Sequence, residues 1–314
     1  MVLKAFVAII AAAGLAAAAS PAAERTHTIP AGVMVGGLKL GGLSAVPARD
    51  AIAAAYTRPI SVVYGNRQET IEPSDLDATV DLDAAVSAAL DTTHRSIPVN
   101  VTYSRAKARQ VVDTLAKRFD VAPTAARVIG ATAAGPQYVE AKNGRAVETR
   151  TMTAAIAQLL SDGTREPLQL VTKPVVATKT VANFGPAIVI TRATNTLRLY
   201  NGRTLVRTFS VATGQAIYPT PAGLWDIVNM QRDPWWYPPV QDEWAKGLKP
   251  VPPGPSNPLG TRWMGLNAPG VGIHGTDAPS SIGYSASHGC VRMQVPDAEW
   301  LFEHVHVGTP VVIL

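Results

Sequence analysis

The sequence predicts an α+β chain in two folded parts, an N-terminal two-layer α+β domain followed by a mainly-β domain. Three observations carry that expectation. The 314 residues exceed the roughly 250 to 300 that one hydrophobic core usually organises. From Gly32 to about Val176 short strands alternate with short helices, whereas beyond Phe184 the apolar runs read mostly as strands. Finally, hydrophobic residues make up 47% and charged residues 16%, so the chain has a globular composition despite its 25 Gly and 25 Pro.

Residues 1–23 read as a secretory signal peptide. Lys4 precedes an uncharged apolar run from Ala5 to Ala19, and Ala17-x-Ala19 offers the small residues of a cleavage site, with cuts after Ala22 or Ala23 close competitors. Fifteen mostly alanine residues fall short of the roughly 20 strongly apolar residues of a bilayer span. Export to the periplasm or cell wall is therefore expected, with no stable membrane span after processing. The formal charge of +5 is mild and holds no basic cluster, which argues against a nucleic-acid partner.

In the first domain, Val99 to Tyr103 alternates as a half-buried strand, and Ser104 then caps a helix whose Ala108, Val111, Val112, Leu115 and Phe119 share one face. A second round follows: a strand at Gln137–Glu140, a turn at Asn143-Gly144, a helix carrying Met152, Ile156, Leu159 and Leu160, and a strand from Leu168 to Val176. Residues 178–184 read as the link. Beyond it come strands at Ala187–Thr191, Thr196–Tyr200 and Leu205–Ala212, with Asn201-Gly202 as a hairpin turn. Asp297 is expected to cap a short helix, and Thr309–Leu314 to close the chain as a buried strand. Between Arg232 and Pro258 lies a loop with Trp235, Trp236, Tyr237 and Trp244 among eight prolines, the texture of a lid, a binding loop or a packed cap.

Chemistry concentrates around the single cysteine, Cys290, in Ser287-His288-Gly289-Cys290-Val291-Arg292, sixteen residues after His274. A lone cysteine makes no disulfide within the chain, and an exported thiol is exposed to oxidation, so its retention points to reactivity. A thiol of ordinary pKa is only about 3% ionised at neutral pH and needs a partner that takes its proton or stabilises the anion. His288 would share a face with Cys290 on a strand, and Gly275, Pro279, Gly283 and Gly289 can reverse the chain so that two antiparallel segments set His274 beside the thiol. Gly289 lets substrate approach the backbone, and Arg292 can hold a substrate carboxylate by a forked pair of hydrogen bonds.

The run His274-Gly275-Thr276-Asp277 with Ser287-His288-Gly289-Cys290-Val291-Arg292-Met293 resembles the catalytic signature of bacterial L,D-transpeptidases of the YkuD type. The resemblance extends from about Pro186 to Leu314 and includes Tyr218 to Gly223, Pro258-Leu259-Gly260, Arg262-Trp263-Met264 and Gly308 to Ile313. The segment Ile29 to Ser44, with the alanine-rich helix after it, resembles the peptidoglycan-binding module found beside such domains, over roughly residues 29 to 178. The implied organisation is a peptidoglycan-binding α+β domain at 29–178 and an L,D-transpeptidase catalytic domain at 185–314.

The resemblance implies Cys290 as nucleophile, His274 as its base, and the Gly275 carbonyl as the group orienting the imidazole. It implies Gly289 and Cys290 N–H groups as an oxyanion hole, with His288, Ser287 and Arg292 supporting the site and its substrate. The substrates would be donor and acceptor stem peptides of peptidoglycan, joined through a thioester with release of D-alanine; an L,D-carboxypeptidase on the same site and a noncatalytic wall-binding protein are the alternatives. Intact Cys290, His274 and Gly289 speak against the last. No cofactor is expected. Nor is a metal: His288, Cys290, His304 and His306 are zinc-ligand types, but their spacing matches no usual ligand pair.

Overall fold

The computed structural model describes residues 27–314, so the signal-peptide reading of residues 1–23 lies outside the described residues. The described residues form two compact units, one comprising 27–115 with 148–171, the other 116–147 with 172–314. Among the described residues no helix is long and apolar enough to cross a membrane.

The first unit has two layers. Helices Ala45–Tyr56 and Leu82–Leu90 pack with Ile29, Val33, Val35 and Leu40 into one apolar core. The helix Thr149–Asp162 buries Met152, Ile156 and Leu160 at helical spacing. Glycines here make room for an aromatic ring: a Cβ on Gly36 or Gly163 would strike Tyr56 at 2.2 and 2.7 Å. Arg165 then gathers the carbonyls of Tyr56, Arg58, Leu159 and Thr164, closing the unit with hydrogen bonds to an always-charged donor.

The second unit is built on one eight-stranded sheet. Its strands are β1 (Pro186–Thr191), β2 (Thr196–Asn201), β3 (Thr204–Ser210), β4 (Gly223–Arg232), β5 (Arg262–Leu266), β6 (Gly272–His274), β7 (Val291–Arg292) and β8 (Pro310–Ile313). They lie in the order β3-β2-β1-β8-β4-β5-β6-β7. The last strand of the chain is thus central, parallel to β1 and antiparallel to β4. That explains its unbroken burial, since a strand covered on both faces carries no polar alternation. Ile188, Ile190, Leu197, Phe209, Ile227, Met264, Ile273 and Val291 form the core with Ala298 and Leu301 of the helix Val295–His304.

Several local expectations shift. The hairpin between β2 and β3 turns on Gly202-Arg203, because Asn201 pairs with Thr204; Gly202 has φ +55°, and a Cβ there would strike the Val181 carbonyl at 2.4 Å. Asn143-Gly144 makes no hairpin turn, and Gly144 opens a strand against Thr172–Val175. Its missing Cβ avoids the Val121 carbonyl, which would lie 2.1 Å away. Asp297 is in the first helical turn behind Gln294, the residue at the cap position, and pairs with Arg207 at 3.1 Å. The segment 178–184 buries Val181 and Phe184 against Ala126, Val128, Ala187 and Val312, so apolar residues hold it to the sheet.

Candidate active site

His274 ends β6, between β5 and β7, and is only 4% exposed. Its Nδ1 lies 2.5 Å from the Gly275 carbonyl. A carbonyl only accepts, so Nδ1 carries the proton and Nε2 presents the lone pair of a base. Burial lowers the imidazole pKa to about 4, against the Gly275 bond, which raises it, and with Arg292, which lowers it further. The ring stacks on Trp263, its cross-strand partner, at 5.8 Å between centroids. Trp263 is fixed in turn by its Nε1–H to Asn229 Oδ1, 2.8 Å. It lies over Gly272, where a Cβ would meet the indole at 2.4 Å.

Cys290 sits in a turn tied by one hydroxyl. Ser287, 1% exposed, donates from Oγ to the Cys290 carbonyl at 2.6 Å and accepts from the Gly289 N–H at 3.1 Å. Gly289 has φ +113°, a conformation that any residue with a Cβ resists. The structure departs here from the expected oxyanion pair: the Gly289 N–H is consumed inside the turn by Ser287. The thiol lies 3.5 Å from the Gly270 carbonyl. Burial pushes its pKa up, while the Gly272 backbone and Arg292 pull it down.

The two elements are brought together in parallel, contrary to the antiparallel reversal expected from the glycines. In the β6–β7 pair His274 is registered with Arg292 and Ile273 with Val291. The physical reason is the length of the connection: parallel neighbours need a crossover of about a dozen residues or more, and sixteen residues, 275–290, link β6 to β7. That crossover includes Ser285–Ser287, a short strand on Thr213-Gly214. Cys290, in the bend one residue before β7, lies beside β6, with its thiol against the Gly270 carbonyl and the Gly272 backbone.

Arg292 is half-buried and, among the described residues, makes no ion pair with a carboxylate. His288 does not lie on a strand with Cys290; it projects from the bend as an exposed ring between Trp244, 4.0 Å away and nearly parallel, and Tyr218 at 5.1 Å. Burial and Arg292 lower its pKa, and Asp242 raises it. His304 and His306 engage the local carbonyls of Trp300 and Val307. Among the described residues there is no cluster of three or more His, Cys, Asp or Glu side chains fit for a metal.

Trp263, Gly272, Tyr218 and Trp244 escaped assignment from sequence as site residues. Periodicity reports only which face a residue shares, and these contacts cross between strands and loops far apart in the chain. A glycine two residues before the histidine, in an otherwise apolar run, was the one local signal for Gly272.

Residues 185–313 match the L,D-transpeptidase catalytic domain family known as YkuD, and residues 69–169 match a family described as "Putative peptidoglycan binding domain". A Bacillus subtilis protein named "Putative L,D-transpeptidase YqjB" is 33% identical over 134 residues, 41% of this chain and 70% of that protein. The Bacillus licheniformis protein "Putative L,D-transpeptidase YkuD" is 38% identical over 118 residues, 38% of this chain and 59% of that one. Among solved structures, the L,D-transpeptidase from Mycobacterium smegmatis superposes with a TM-score of 0.37 at 16% identity, over 69% of this chain and 90% of the other; so slight a likeness adds nothing to the assignment. With a catalytic-domain match and a relative aligned over more than two thirds of its length, the chain belongs to the L,D-transpeptidase family of the YkuD type.

Proposed function

We propose that the chain is an exported, cysteine-dependent L,D-transpeptidase acting on peptidoglycan in the periplasm or cell wall, with a catalytic domain at 185–314 and a wall-binding domain at 29–178. The observation that supports the reading is the β6–β7 register, in which the strand ending in His274 runs beside the strand that follows Cys290, together with the bond between His274 Nδ1 and the Gly275 carbonyl.

Both partners rest neutral. Burial raises the thiol and lowers the imidazole, so the proton moves only as substrate reacts. Cys290 Sγ attacks the carbonyl of the third residue in a tetrapeptide stem while its proton passes to His274 Nε2. The oxyanion meets the Cys290 N–H, a donor held in place by the Ser287 turn. Collapse breaks the bond to the terminal D-alanine, whose nitrogen takes the proton from His274, and leaves a thioester. An amine on the third residue of an acceptor stem attacks that thioester, giving its proton back through His274, and the new amide forms as the C–S bond breaks and the thiol is restored. Arg292, with no carboxylate partner among the described residues, would hold the donor's terminal carboxylate by a charge-assisted fork.

The test is mass spectrometry of the processed chain and its Cys290→Ala variant with disaccharide-tetrapeptide fragments. D-alanine release with dimer formation in the wild type alone is expected. Release without dimers would replace transpeptidation by carboxypeptidase activity, and cross-linking that survives in Cys290→Ala would overturn the nucleophile.

A further inference from the structure

The tryptophan- and proline-rich loop holds a surface that the acyl-transfer reading leaves unused. Trp236 and Val251 exchange two backbone hydrogen bonds, N–H to carbonyl at 2.9 Å in each direction, so the chain around Trp236 is extended. Residues i−1 and i+1 of an extended segment point to the same side. Those residues are Trp235, 50% exposed, and Tyr237, 68% exposed. Their ring centroids are 6.3 Å apart, with planes only 25° from parallel.

This aromatic pair is rigidly mounted. Pro234 and Pro238 flank it with fixed φ. The fully buried Asn257 donates from Nδ2 to the carbonyls of Pro234, Val251 and Pro252 at 2.8, 3.3 and 3.1 Å. It also accepts from the Leu259 N–H at 2.8 Å. A buried amide with four such bonds holds both sides of the loop in one conformation. The same loop reaches the reaction centre, because Trp244 stacks on His288, two residues from Cys290.

Two neighbouring, solvent-facing rings on a fixed backbone suit a ligand whose faces are apolar and whose rims are hydroxylated. Pyranose rings have that form, since their axial C–H groups stack on aromatic faces while the hydroxyls stay in water. Little side-chain entropy is lost on binding, because each ring has only two torsions and the backbone is already ordered. We propose that Trp235 and Tyr237 form a glycan subsite that takes two successive sugar rings of the strand to which the reacting stem is attached. The identity of the sugar strand rests on the peptidoglycan reading above; the platform itself does not. Continuity with the site through Trp244 and His288 favours a glycan over a protein partner, because a sugar carrying a stem bound at Cys290 must lie within one stem length of the thiol.

The test uses the full processed chain with Cys290→Ala, so that no chemistry consumes the ligand, titrated calorimetrically with peptide-free strands of alternating N-acetylglucosamine and N-acetylmuramic acid. Trp235→Ala and Tyr237→Ala, made in that background, should each weaken binding about tenfold, and the double variant should lose one site from the stoichiometry. Unchanged melting temperatures would show that the loop is intact. Undiminished binding in the double variant, or no binding by the parent, would overturn the subsite. Because the readout is binding by a chain without its thiol, failure of the transpeptidase reading leaves this measurement interpretable. If the parent binds lipid vesicles or an unrelated protein through these rings and ignores the glycan, the glycan assignment fails.

Discussion

The Ser287 hydroxyl and the Cys290 carbonyl lie 2.6 Å apart across the turn that presents the thiol. The same oxygen receives the buried Gly289 N–H, so one side chain satisfies both a donor and an acceptor of the turn. Ser287→Ala leaves these groups without a partner at about 1 to 3 kcal/mol each where water cannot reach them. Thermal denaturation should show a lowered midpoint, and single-turnover acylation should slow by about tenfold to a hundredfold as the thiol loses its position. Wild-type values in both would mean that Gly289 alone shapes the turn.

The pH response follows from His274. Its pKa is about 4 in the folded chain and near 6.5 when unfolded, so between those values the unfolded chain binds the extra proton. Stability from this residue is complete above about 6.5 and is lost as the pH falls through about 4, amounting to about 3 kcal/mol. Denaturant titrations from pH 7 to pH 4 should show that decline in the wild type and lose it in His274→Gln. A parallel decline in both would place the titration elsewhere.

Cys290 rests as a thiol because burial raises its pKa. Alkylation by iodoacetamide is expected to be slow at neutral pH and to keep accelerating above the ordinary thiol range. A plateau below pH 7 would instead indicate a resting thiolate paired with imidazolium.

Gly272→Ala sets a Cβ into the indole of Trp263. Because that contact involves a ring held by Asn229 and stacked on His274, the added methyl should cost about 1 to 3 kcal/mol. It should also lower kcat more than it raises KM. Purified protein with unaltered melting and kcat would show that Trp263 can yield.

Arg292 lowers the pKa of His274, His288 and Cys290 alike. Arg292→Ala should therefore raise the His274 value, read by NMR titration, and raise KM for a stem with a free terminal carboxylate. Arg292→Lys keeps the charge but not the planar fork, so it should restore the titration and leave KM high. Recovery of both would reduce the role of Arg292 to its charge.

Much of this was legible in the residues. The amphipathic helix ending at Phe119, the helix with Met152, Ile156 and Leu160, and strand β2 follow from apolar period, because burial of one face is what forms them, while β1 reads from an unbroken apolar run buried on both faces. The family and its motif were equally readable, since His274-Gly275 and Ser287 to Arg292 are contiguous signals. Less accessible were the parallel pairing of β6 with β7 and the Gly202-Arg203 turn. Register depends on partners elsewhere in the chain: a slip of one residue would turn every side chain to the other face, and neither strand's own residues name the partner that forbids it.

The sequence by itself determined the composition of the proposed reaction centre: one thiol, a histidine sixteen residues earlier, and a glycine where the backbone needs φ of +113°. Only the tertiary structure decided what each group does there. It assigned the Gly289 N–H to Ser287, the Gly275 carbonyl to His274 Nδ1, the Trp263 ring to the imidazole, and Trp244 to His288. Those choices are made by hydrogen-bond satisfaction and ring packing across strands and loops, which come into contact only when the sheet closes.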